Sequence, residues 1–154
     1  MSSRDYEEFL ASLNAHGVRY LLVGAHAVAL HARPRATKDL DVLVAPTRDN
    51  AERVLAAIRD YFGGADLAIM VSDLTTPERV VQLGVAPARI DLLSSLSSVR
   101  DFEAAWERRV DARFGSVDAH YIGLDDLIAE KESAGRDQDR ADARSLRAAR
   151  SRRG

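Results

Sequence analysis

Asp39 and Asp41 stand one residue apart in "RATKDLDVLV", where the residues between and after them are apolar and read as a buried strand. Aspartate is disfavoured in strands, and an ionised carboxylate is costly to bury unless it is paired or bound to a metal. Residues i and i+2 of a strand share a face. The two aspartates therefore project together, with Cα atoms ~6.6–6.8 Å apart, while Leu40 and Val42 enter the core on the other side. Two like charges at that spacing repel, and a divalent cation with oxygen ligands relieves the repulsion. A third carboxylate, Asp91, interrupts another apolar run, "ARIDLLSSL". If that strand lies beside 39–44, three carboxylates meet. Such a set can hold two Mg²⁺ ions about 3.5–4 Å apart for in-line phosphoryl or nucleotidyl transfer.

Gly24 and Ala25 fall where the strand-like run "VRYLLVG" passes into the alanine-rich "AHAVALHA". A helix N-terminus there presents free N–H groups to an anion such as a phosphate, and a glycine lets the backbone approach closely. Plainer readings stand beside these. The Asp39–Asp41 pair could face solvent near a loop, and Asp91 could pair with Arg89 or Arg35. Lys38 points away from the pair by strand alternation. His26 and His31, five apart, do not form an i, i+4 metal pair and read as packing or surface residues.

The elements that must position these groups follow from periodicity. Tyr6, Phe9, Leu10 and Leu13 repeat at helical spacing and predict a helix over 5–16, stopped by Gly17. A strand over 18–24, a helix over 25–32 ended before Pro34, and the strand 39–44 follow. Thr47 is a candidate N-cap for a helix with Val54, Leu55, Ile58, Tyr61 and Phe62 on its apolar face. The stretch 65–76 reads as strand or loop. Strands are expected over 80–84 and 89–93, joined by "VAPA", then a helix over 102–110 with Trp106 on its inner face. A hairpin turns near Gly115-Ser116, and from Leu124 the chain is helical almost to its end. The expected fold is α+β, a mixed sheet flanked by helices, with a core over 1–122 and a helical segment over 123–154 packed on it. In that segment Arg136, Arg140, Arg144 and Arg147 form a helical stripe among Asp137, Asp139 and Asp142, which reads as a solvated, salt-bridged face.

The 154 residues fit one compact domain, with 46% hydrophobic and 30% charged residues. A formal net charge of −2 argues against a generic nucleic-acid coat. There is no cysteine, so neither disulfides nor thiolate metal sites are available. No apolar run approaches the ~20 residues of a membrane span, and the first residues do not read as a signal peptide. A cytoplasmic location is expected.

Taken together, "LLVGAHAVALHARPRATKDLDVLV" resembles the signature of the nucleotidyltransferases of the DNA polymerase β superfamily, in particular its small bacterial AbiEii-like group. "QLGVAPARIDLLSSL" is similar to the group's third-carboxylate strand. "LIAEKESAGRDQDRADARSL" is similar to its C-terminal K-x-x-x-x-R-x-x-D-x-x-D element. The resemblance implies Asp39, Asp41 and Asp91 as metal-binding catalytic carboxylates, loaded with two Mg²⁺ ions or with Mn²⁺. It implies Gly24 and Ala25 against the triphosphate, Arg35 and Thr37 supporting the active-site loop, and Lys131 approaching the nucleotide. The implied reaction moves a nucleoside monophosphate from an NTP to a hydroxyl on RNA, protein or a small molecule. Implied partners are a second copy of the chain or the other member of a toxin–antitoxin pair. A non-catalytic nucleotide- or partner-binding module is the alternative, and a metal-dependent nuclease would share the carboxylates. The chain departs from the group's pattern at Ala25, where glycine or serine is usual, at Gln138, where lysine is common, and at Ala143, where leucine is common.

Overall fold

The computed structural model describes residues 3–34, 39–85 and 88–153. Arg35, Thr37 and Lys38 lie outside the described residues. Seven helices and six strands follow one another among those described: α1 (Ser3–Ala15), β1 (Tyr20–Val23), α2 (Gly24–His31), β2 (Asp39–Val44), α3 (Arg48–Tyr61), α4 (Val71–Thr75), β3 (Val80–Val85), β4 (Ala88–Leu93), α5 (Phe102–Glu107), β5 (Val110–Phe114), β6 (Val117–Tyr121), α6 (Leu124–Ala134) and α7 (Asp137–Arg153). The strands form one mixed sheet in the order β3-β4-β2-β1-β6-β5. The α+β architecture is the one expected from the sequence.

The pairings decide what the sheet can hold. β1 and β2 are antiparallel, with Val23 opposite Asp41. β2 and β4 are parallel, with Asp39 opposite Arg89 and Asp41 opposite Asp91. Strand alternation then sends Leu40, Val42, Ile90 and Leu92 to the other face, where all four are fully buried. They join Phe9, Leu10 and Leu13 of α1 and Val54 and Ile58 of α3 in one core. The two helices are tied where Ser12 Oγ donates to the Ala57 carbonyl at 2.9 Å.

Local signals explain most boundaries. Thr47 caps α3 by accepting from the Asn50 N–H at 3.3 Å. Asn50 is buried, accepts from the Arg19 N–H and donates to the Arg19 and Ala45 carbonyls, so it ties the start of β1 to the end of β2. β5 and β6 close a hairpin with Phe114 opposite Val117, across Gly115 and Ser116.

Two expectations are corrected. The stretch read as strand or loop contains α4, whose first turn is fastened by the Met70 N–H donating to Asp73 Oδ2 at 2.9 Å. The helix expected over 102–110 ends at Glu107, and Val110 already belongs to β5. Trp106 is half-buried and packs against the core beside the buried Phe102 and Ala105, with the Arg109 guanidinium over its ring at 4.0 Å. No helix among the described residues is long and apolar enough to cross a membrane.

Candidate active site

Asp39, Asp41 and Asp91 project from one face of the sheet, because Asp39 and Asp41 are i, i+2 on β2 and Asp91 is in parallel register with Asp41. Their environments differ. The Asp39 side chain is 39% exposed and that of Asp91 13%. Asp41 is pushed up to about 6, first by burial, then by the charges of Asp91 and Asp39; Lys131 and Arg89 pull the other way. Tyr6 of α1 borders the same ground. Its hydroxyl donates to the Arg89 carbonyl at 3.3 Å and is held above its usual range by burial and by Asp39, Asp41 and Asp91.

Arg89 supplies an internal counter-charge. Its Nε donates to Asp91 Oδ1 at 3.1 Å, and a terminal nitrogen lies 3.9 Å from Asp39 Oδ2. The plainer reading of Asp91 as an Arg89 partner is thus realised, while the carboxylate still shares a face with the other two. Among the described residues, no three acidic or histidine side chains are already drawn together as a metal cage.

Gly24 opens α2 directly beside Asp41, at φ +70°. A Cβ added there would overlap Asp41 Oδ2 and stand 3.1 Å from its Cγ. Val23, at the N-cap, brings no side-chain acceptor to the first turn of α2, so the Ala25 stretch presents backbone N–H groups without a capping side chain from Val23. Asp41 and Gly24 line a cleft of about 220 Å³ together with Leu93, Leu96 and the α6 residues Leu127, Glu130 and Lys131. Lys131 therefore lines the cleft from the C-terminal segment.

The chain matches the profile of a family described as nucleotidyl transferase of unknown function (DUF2204) over residues 2–153. It belongs to that family. No curated protein matches it. The glycine turn, the acidic strand pair and the C-terminal helices thus fall within a single matched span.

The charge pattern alone misplaces Asp139 and Asp142, the two aspartates of the C-terminal K-x-x-x-x-R-x-x-D-x-x-D element. Asp139 and Asp142 were expected on a solvated face, yet they are 2% and 3% exposed and flank Lys131. The correction has a visible cause. Positions 139, 142, 143, 146 and 149 make one helical stripe, and Ala143, Leu146 and Ala149 on it are buried as well. Arg140–Asp137 does form an exposed ion pair, as the charge pattern suggests, and Arg147 pairs with Glu132 of α6. Tyr6 was read only as part of an apolar stripe. His26 and His31 are packing residues: His26 lies between the rings of Tyr6 and Phe114, and His31 Nε2 meets the Ile122 carbonyl at 2.7 Å.

Proposed function

We propose that this chain transfers a nucleoside monophosphate from an NTP to a hydroxyl acceptor, with Asp39, Asp41 and Asp91 as its metal-binding carboxylates. The observation that carries the reading is the register of β2 and β4, which sets Asp91 beside Asp41 on the face that Gly24 leaves open. The donor set suits magnesium: hard oxygen ligands, among them a carboxylate whose pKa is raised first by burial and then by the neighbouring charges of Asp91 and Asp39. Bound magnesium would neutralise the triphosphate and acidify the acceptor hydroxyl. The acceptor oxygen bonds to the α-phosphorus, the bond to the β-phosphate oxygen breaks, and pyrophosphate leaves. Gly24 and the N–H groups of the Ala25 turn face the phosphates, and Lys131 offers them a positive charge. The resemblance to the AbiEii-like group supports RNA or protein as acceptor and a role in a toxin–antitoxin pair.

The test is incubation with each labelled NTP, Mg²⁺ or Mn²⁺, and an RNA or protein pool, read as label transfer and pyrophosphate release. Transfer that Asp39→Ala abolishes supports the proposal. No transfer above that variant, across four NTPs and both metals, overturns it, and polymer cleavage without pyrophosphate would mark a nuclease.

A second reading has its own observation. Arg89 already neutralises Asp91 and approaches Asp39, as a partner-binding module that never loads metal would need. Arg89→Gln separates the two. On the enzyme reading it removes a competitor of the cation and tightens Mg²⁺ binding by about three- to tenfold in calorimetry. Unchanged, negligible Mg²⁺ binding in both proteins would favour the module.

A further inference from the structure

The C-terminal helices carry a buried ion cluster whose geometry is directional. Lys131 of α6 is 8% exposed. Its Nζ lies 3.5 Å from Asp139 Oδ1 and 3.3 Å from Asp142 Oδ2, both on α7. Each aspartate gives its other oxygen to a donor near the start of its own helix. Asp139 Oδ2 accepts from Arg136 Nε at 2.8 Å and from the Arg136 N–H at 3.3 Å. Asp142 Oδ1 accepts from Gln138 Nε2 at 3.0 Å. Both carboxylates are thus oriented by local bonds on α7, with one oxygen of each turned to the lysine.

Such an arrangement exceeds what covering a buried charge requires. One carboxylate could neutralise one ammonium, and a lysine held by a single flexible partner would keep much of its rotamer freedom. Two oriented carboxylates fix where the ammonium stands. They also hold it against a cleft wall, because Lys131, Arg136 and Asp139 line the same cleft as Asp41 and Gly24. Lys131 is close enough to Asp41 for its charge to draw that carboxylate's pKa downward. With Arg136 counted, two basic side chains stand against two carboxylates, and the lysine lines the cleft.

We infer that Asp139 and Asp142 are positioning residues that aim the Lys131 ammonium at the phosphate groups of a nucleotide in the cleft. This rests on the nucleotidyl-transfer reading. The consequence is that the nucleotide contact is set by the packing of α7 on α6, although α7 itself supplies no phosphate ligand. The role differs from that of a structural ion pair in one measurable respect: the aspartates should matter to nucleotide binding only while Lys131 is present.

A double-mutant cycle on the full chain tests it. The readout is the Kd of the α,β-methylene analogues of the four NTPs with Mg²⁺, by calorimetry, with near-UV circular dichroism to establish that each variant is folded. Lys131→Met should weaken binding of the preferred analogue about ten- to hundredfold, the range of a lost charged hydrogen bond. Asp142→Asn in the otherwise unchanged chain should weaken it about three- to tenfold. In the Lys131→Met background the same change should cost less than about twofold. Equal losses in both backgrounds, or a folded Asp142→Asn that binds like the parent, overturn the inference while leaving the nucleotide reading in place. If Asp142→Asn does not fold, Asp139→Asn enters the same cycle with the same expectations. If the unaltered chain binds none of the four analogues, the nucleotide reading itself falls and takes this one with it.

Discussion

Asp41→Asn is expected to abolish nucleotide transfer and, without divalent cations, to make the protein more stable. The two effects have one origin. The carboxyl group is raised from 3.8 to about 6 by burial and by the charges of Asp91 and Asp39. At 1.36 kcal/mol per pKa unit, that is a penalty of roughly 3 kcal/mol on the ionised folded state. The sign follows from proton uptake. Between about pH 4 and 6 the folded chain binds more protons at Asp41 than the unfolded chain, so stability falls as pH rises through that window and stays low above it. Asparagine carries no such penalty. In EDTA at pH 8, the variant should melt roughly 6–12 °C above the parent, given about 2–4 °C per kcal/mol for a chain of this size. The gap should close below about pH 4. Saturating Mg²⁺ should raise the melting temperature of the parent and not that of the variant. Activity should drop about 10³-fold or more, equivalent to ~4 kcal/mol of barrier. A variant no more stable than the parent at pH 8, or one that transfers at the parent's rate, would remove Asp41 from the centre of the site.

The difference between what could and could not be read in the sequence follows from the range of the interactions involved. Alternation along β2 is local, so the shared face of Asp39 and Asp41 and the burial of Leu40 and Val42 followed from period two. Asp91 was recognisable as a charge inside an apolar run. Its register with Asp41 is a long-range pairing that no local pattern encodes, and it stood only as a condition. Arg89 could have been placed from the same rule, since it is i, i+2 with Asp91 and must share its face. Its position opposite Asp39 again needed the sheet. Asp139 and Asp142 were hidden by their neighbours. Arg136, Asp137, Arg140 and Arg144 surround them with charge, and a charged helix reads as solvated unless the spacing of Ala143, Leu146 and Ala149 is followed back to them. α4 was hidden by its length: five residues show too little periodicity to distinguish helix from loop.

These charges also form a connected balance. The acidic face draws Arg89 from its own sheet and Lys131 from α6. Lys131 in turn is flanked by two buried carboxylates of α7. The C-terminal helices are therefore coupled electrostatically to the sheet, and the Asp41 carboxylate responds to groups nearly a hundred residues away in the chain.

Gly24→Ala should disable the acidic face through a single added methyl, and the reason differs from the one its place in the sequence suggests. The glycine beside a helix N-terminus was read as room for a phosphate. In the fold, the room is taken first by Asp41. The residue sits at φ +70°, where an L side chain costs about 1–2 kcal/mol. The added Cβ also overlaps Asp41 Oδ2 and lies 3.1 and 3.2 Å from its Cγ and Cβ. Rotating the carboxylate moves Oδ2 away but cannot relieve the contacts with Cγ and Cβ together, so Asp41 must also shift by a few tenths of an ångström. A shift of ~1 Å in a catalytic group costs about 10²-fold in rate. Gly63→Ala is the control: Gly63 has φ +67° and nothing within 4 Å of the added methyl. Both variants should lose about 1–2 kcal/mol from backbone strain in urea denaturation, Gly24→Ala should lose more because of the overlap with Asp41, and only Gly24→Ala should lose transfer activity and weaken Mg²⁺ binding. Equal activity in the two variants would mean that the contact between Gly24 and Asp41 does not govern the geometry of the acidic face.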